Sequence, residues 1–136
     1  MTHRRIGVFV ALWGALACAT TATGQEEALA VPSGLDLRLQ EVRLEDGIFG
    51  QPRAARFRFV APAIGEGASF ADVEADFAYL CENLALPWLA ERGENVPRVV
   101  ISYAARDIEF GAIDPEIVQF FDAFRVENGT CIWENF

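Results

Sequence analysis

The strongest constraint on this chain is a pair of cysteines, Cys81 and Cys131, each in a stretch whose apolar pattern dictates where its side chain points. Val73, Phe77, Leu80, Cys81, Leu84 and Trp88 recur at helical spacing and form one stripe, so Ser69 to Gly93 reads as an amphipathic helix. Asp72, Glu74, Asp76, Glu82 and Asn83 fall on its wet side. Ser69 and Asp72 have the spacing of a capping box. Pro87 cannot donate to the carbonyl of Asn83, so the helix should kink or stop near Ala85 and restart before Gly93 ends it. Near the other cysteine, Asn128-Gly129 is the strongest two-residue turn signal in the chain. Such a hairpin sets Val126 opposite Cys131 and Phe124 opposite Trp133, all on one apolar face. Both sulfurs then face the interior, and we expect a bridge that staples helix to hairpin. A redox-active pair is the alternative, but the spacing is nothing like Cys-x-x-Cys. Closing a loop of about 50 residues corresponds to roughly 4 kcal/mol in the chain-entropy account.

A third cysteine, Cys18, lies in a segment with its own logic. His3, Arg4 and Arg5 precede an apolar run from Ile6 to Ala19, followed by small residues with Ala22 and Gly24 at the −3 and −1 positions. Residues 1–24 therefore read as a secretory signal cleaved after Gly24. The run is shorter than the roughly 20 apolar residues of a membrane span. Lipidation at Cys18 is a further alternative, although Ala15-Leu16-Ala17-Cys18 lacks the leucine a lipoprotein signal prefers three residues before its cysteine. The expected location is periplasmic or secreted, with no membrane insertion once the signal is gone. Residues 25–30 read as a mobile leader and 31–136 as a single domain.

Charge and missing residue types exclude many functions. Losing Arg4 and Arg5 from the 11 basic residues leaves nine arginines against 20 acids, a formal charge of −11. Nucleic acid and anionic lipid are repelled by such a surface. The only His is His3, the only Met is Met1, and there is no Lys. The mature chain thus has no Ser-His-Asp triad, Cys-His dyad, Schiff-base lysine or P-loop lysine. Imidazole metal sites are excluded as well, and no cofactor is expected.

Along the domain, Leu35, Leu37 and Leu39 alternate with polar residues before the parity slips to Val42 and Leu44, as in a strand interrupted by a bulge. Asp46-Gly47 reads as its closing turn. Ala54 to Ala61 is the next strand, with Arg56 and Arg58 on one face and Phe57 and Phe59 on the other. Ala63 to Ala68 reads as a loop. Val99 to Tyr103 is nearly all apolar, which suggests a central strand. A short strand is expected at Ile108 to Phe110. Asp114-Pro115-Glu116 looks like a helix start, with Ile117, Phe120, Phe121 and Phe124 as the buried side of a short second helix.

Arg56-Phe57-Arg58-Phe59-Val60-Ala61-Pro62, Phe110-Gly111, Asp114-Pro115-Glu116, Gln119-Phe120-Phe121 and Gly129-Thr130-Cys131-Ile132-Trp133 resemble recurrent stretches of a family of small exported alphaproteobacterial proteins of unknown function. The resemblance runs from about Val31 to the C-terminus. Some relatives carry the label acetolactate synthase, which does not suit this chain: that enzyme is a far longer, cytoplasmic protein that binds thiamine diphosphate. The resemblance brings no catalytic residues.

Each candidate site has a plainer reading beside it. Arg56 and Arg58 could hold a carboxylate or phosphate, or pair with acidic neighbours on the sheet. Asp107, Glu109, Asp114 and Glu116 around Gly111 could hold Ca²⁺, but they follow no EF-hand pattern, so a capped helix with solvated neighbours is the simpler reading and no metal is expected. Trp88, Trp133 and Phe136 read as core or core edge rather than a partner surface. Asn128-Gly129-Thr130 matches a glycosylation sequon that the turn already explains.

The fold expected is α+β: an antiparallel or mixed sheet of about five strands, one long helix on one face, a short second helix and a C-terminal β-hairpin. Two functions fit the inventory. The leading one is a non-catalytic binding or accessory module whose surface lies near Arg106, Phe110, Asp114, Glu116 and the hairpin end, with an unknown protein or small-molecule partner. The other is a small carboxylate-dependent hydrolase, which needs two carboxylates across a cleft.

Overall fold

Alternation along Ala54–Val60 organises the molecule, because its two faces meet different partners. The structure is a computed structural model that describes residues 29–134 and, before them, only positions 7, 11, 14 and 15. The cleavage site after Gly24, Cys18, most of the leader and Phe136 lie outside the described residues.

Five strands form one mixed sheet: β1 (Arg38–Glu45), β2 (Ala54–Val60), β3 (Arg98–Ala104), β4 (Gln119–Glu127) and β5 (Thr130–Trp133), in the order β1-β2-β3-β4-β5. Only β2 and β3 run parallel; the other neighbours are antiparallel. A parallel pair needs a long crossover, and residues 61–97 supply it. They hold a 3₁₀ turn (Pro62–Glu66), helix α1 (Phe70–Leu80), a π-helical turn (Cys81–Ala85) and helix α2 (Leu86–Glu91). The chain is thus a single small domain with one long interrupted helix and a C-terminal hairpin.

The helix covers one face of the sheet. Phe57 and Phe59 of β2, Ile101 and Tyr103 of β3, and Phe77 and Leu80 of α1 form the centre of the core, all almost entirely buried. Removing a buried ring such as Phe77 would cost about 3–5 kcal/mol. Aromatic edges lock this layer: the rings of Phe77 and Tyr103 lie 4.8 Å apart, and those of Phe57 and Trp88 5.5 Å apart.

Several local expectations hold in detail. Ser69 and Asp72 exchange side-chain-to-backbone bonds, completing the capping box. The interruption before Pro87 is a widened turn in which Leu86 N–H reaches the Cys81 carbonyl. That turn absorbs the donor that Pro87 lacks and keeps Cys81 facing the sheet. Pairing of β1 with β2 slips between Leu39 and Glu41, where the apolar parity slips. Val126 pairs with Cys131 and Phe124 with Trp133. Cys81 and Cys131 are bonded, their Cα atoms 6.3 Å apart.

Other expectations are corrected. Residues 119–127 are strand β4, not a second helix, because alternation sends Phe120, Phe124 and Val126 to the helix side and Phe121 and Ala123 to the other. Pairing with β3 satisfies this aromatic run better than a helix. The Asp-Pro-Glu signal makes only a turn, in which Asp114 Oδ1 accepts from Glu116 N–H at 3.0 Å. Residues 108–110 are not a strand, and the short helix lies instead at Pro62–Glu66, where a loop was expected. The β1–β2 connection turns at Ile48–Gln51, with positive φ at both Phe49 and Gly50. Gly47 serves a close approach, since a Cβ there would collide with the Gln51 carbonyl. Asp76, assigned to the wet side of the helix, is fully buried.

Candidate functional site

The face of the sheet away from the helix carries charge. With the bulge in place, Glu41 pairs with Arg58 and Arg43 with Arg56, so Glu41, Arg43 and Glu45 share that face with Arg56 and Arg58. They form a ladder. Arg58 bonds Glu41; Arg43 lies 3.7 Å from Glu41 and 3.9 Å from Glu45; Arg56 Nε donates to Glu45 at 2.9 Å. Three guanidiniums meet two carboxylates, an excess of one positive charge on a strongly acidic protein. Arg58 is 7% exposed, so its charge depends on Glu41 for compensation, while Glu41 itself is only half-buried and keeps access to water.

The β3–β4 loop, residues 105–118, folds back over this ladder. Its base is closed by Ala105 N–H to the Val118 carbonyl at 3.0 Å. Its middle is pinned by the carbonyl of Ile108, which accepts from Arg58 Nη2 at 2.7 Å and from Gln40 Nε2 at 2.9 Å. Arg38 bonds Asp107 beside it. Ile108 is thereby buried, and the next turn lays the Phe110 ring on the guanidiniums: 4.0 Å from Arg43, 5.5 Å from Arg56 and 5.6 Å from Arg58. Such contacts are worth about 0.5–1 kcal/mol each where water has access.

Between loop and sheet lies a cavity of about 320 Å³. Arg56, Arg58 and Ser102 form its polar floor, and Phe110, Ile113 and Phe121 its apolar sides. One row of the sheet runs through it: Glu41 beside Arg58, Arg58 beside Ser102, Ser102 beside Phe121. Glu109 is the one carboxylate among the lining residues.

A family model, described as a family of unknown function, matches residues 12–136. The chain belongs to this DUF6497 family. No curated protein and no solved structure matches it. The DUF6497 chain gathers three of the candidate residues, Arg56, Arg58 and Phe110, in one cavity. The two arginines pair with acidic neighbours on the sheet, Arg56 with Glu45 and Arg58 with Glu41, and they also line the cavity. Arg106 lies 3.8 Å from Asp114, and Asp114 caps the turn at Glu116; Arg106 and Glu116 are exposed, Asp114 is half-buried, and none of the three lines the cavity. The hairpin turn lies at the opposite end of β4, so it does not join them in one surface. Among the described residues no group of three or more acids, cysteines or histidines could hold a metal.

Sequence reasoning missed Glu41, Arg43, Glu45, Ser102 and Phe121. Carrying the bulge's parity across to β2 would have found the first three. It also missed a second polar centre, on the helix side. There Asp76 accepts from Ser33 N–H at 2.8 Å, Ser33 Oγ at 2.6 Å and Tyr103 Oη at 3.0 Å. Burial first, and then the Asp76 carboxylate, hold the Tyr103 phenol protonated well above its ordinary range. This unit ties the segment before β1 to helix and sheet. Trp133, expected at the core or its edge, is 55% exposed and donates to Asp122 at 2.7 Å.

Proposed function

We propose that this is an exported binding module without catalytic activity, whose ligand sits between the β3–β4 loop and the cationic face of the sheet. One observation carries the reading: the concavity between loop and sheet combines a few convergent polar groups with apolar walls, the composition of a ligand site. A hydrolase working with two carboxylates would need a second acid beside Glu109, and the cavity lining holds no other.

Export, with cleavage after Gly24 and release into the periplasm or medium, is part of the same proposal. The N-terminal pattern supports it, as does the Cys81–Cys131 bridge, because such bonds persist in oxidising compartments. So does the resemblance to exported alphaproteobacterial proteins. No helix among the described residues is long and apolar enough to cross a membrane.

The test is to recover the native protein from the exporting cell and identify what travels with it by native mass spectrometry, for wild type and Phe110→Ala. We expect a bound species that the variant loses while keeping its circular dichroism spectrum. Equal retention by both would place the site elsewhere, and hydrolytic turnover abolished by Glu109→Gln would make the protein an enzyme.

A further inference from the structure

Two side chains in the cavity carry uncommitted hydrogen-bond donors. Arg56 engages Glu45 through Nε, and its two Nη nitrogens make no hydrogen bond among the described residues. Ser102 sits diagonally across the β2–β3 pair, since Arg58 faces Ser102 and Arg56 faces Val100. Its hydroxyl also lacks a partner among the described residues. Around these donors, Phe110, Ile113 and Phe121 are 46%, 95% and 61% exposed. Exposed aromatic and aliphatic side chains grouped around unspent donors need a ligand with both a polar end and an apolar body.

Resting on the binding reading above, we propose that the cavity takes an organic monocarboxylate attached to an apolar group. The carboxylate sits on Arg56 Nη and Ser102 Oγ, and the apolar body lies between Phe110 and Phe121. A planar carboxylate fits the fork of a guanidinium through paired hydrogen bonds. The ladder's excess of one positive charge balances one negative charge. A phosphate dianion would exceed it. A volume of about 320 Å³ seats a ring and its carboxylate. A free acid and the C-terminal residue of a peptide present the same chemistry.

The experiment is an NMR titration of the protein isolated from the exporting cell, following the amide signals of Ser102, Gly111 and Phe121. The probes are phenylacetate, phenylacetamide, inorganic phosphate, and a tripeptide ending in Phe with a free or an amidated C-terminus. We expect phenylacetate or the free-acid peptide to shift these signals at least about tenfold more tightly than its amide, the worth of one charge-assisted bond. The tighter of the two names the source. Arg56→Gln should weaken the acid about tenfold; Ser102→Ala, which leaves the ion ladder intact, should weaken it less but measurably. Equal affinity for acid and amide, tighter binding of phosphate, or no shift with any probe overturns the carboxylate assignment. If the copurified species then maps to the same amides and is neutral, the binding module stands; if it maps elsewhere, that reading falls too.

Discussion

Tyr103 Oη donates to Asp76 Oδ2 across 3.0 Å in a part of the core where both residues are closed to water. Ser33 supplies two more donors to the same carboxylate. Asp76→Ala would strand the Tyr103 hydroxyl and the Ser33 N–H and open a void. It should therefore cost about 3 kcal/mol in urea unfolding, against about 1 kcal/mol for Tyr103→Phe, which removes one donor of three. The phenol's raised pKa sets a sign for pH. Its contribution is fully present below the unfolded value of about 10 and declines above it, because the unfolded chain then releases a proton the folded one retains. Wild type should lose stability more steeply than Tyr103→Phe above that pH.

The bridge between Cys81 and Cys131 joins the widened turn of the helix to the last strand. Reduction, or Cys131→Ser, should lower stability by about 2–5 kcal/mol, read as a shift of the urea midpoint with and without dithiothreitol. Unreduced protein should leave neither cysteine open to thiol labelling.

At the start of α1, Ser69→Ala removes the acceptor for Asp72 N–H and should cost about 1 kcal/mol. Asp72 is held below the ordinary carboxylate range, first by the backbone N–H of Ser69 and then by its hydroxyl. The stabilisation is therefore present above the unfolded pKa and disappears as pH falls through the folded one. Acid titration of Asp72→Asn should show a shallower loss over that interval.

Phe49 has φ of 51° and is 98% exposed, so its ring gains nothing from burial while its backbone sits in the left-handed region. Phe49→Asn would create Asn-Gly at a turn with positive φ at both central positions. We expect a stability gain of about 0.5–1 kcal/mol by thermal unfolding, from relief of that strain.

The mature chain should begin at Gln25. N-terminal sequencing of the exported protein checks this, and a retained Met1 or a lipid on Cys18 would overturn it.

Elements whose signals are local were legible in the sequence: the capping box at Ser69, the Pro87 interruption, the bulge after Leu39, and the register that sets Val126 against Cys131. Where two periodicities compete, sequence reasoning failed. Ile117, Phe120, Phe121 and Phe124 satisfy a helical stripe, but Phe120, Asp122, Phe124 and Val126 also alternate, and the open edge of β3 decides between them. Asp76 was misplaced because a helix position one step round from the apolar stripe is wet only if nothing reaches over it; Ser33 and Tyr103 do. The arginine pair was visible, but its depth and its carboxylate partners depend on pairing with β1. Ser102 belongs to the site only because the β3–β4 loop folds back over the sheet, which no local pattern signals.

The order of strands across the sheet repeats their order along the chain. Each new strand as it leaves a ribosome or a translocation channel can add to the free edge of the one before, and none must be inserted between two that have already met. The one wait is the crossover to β3, which spans residues 61–97. Cys131, in the final strand, reaches its partner only after the other four can already have assembled, so oxidation would seal a finished sheet rather than direct its assembly.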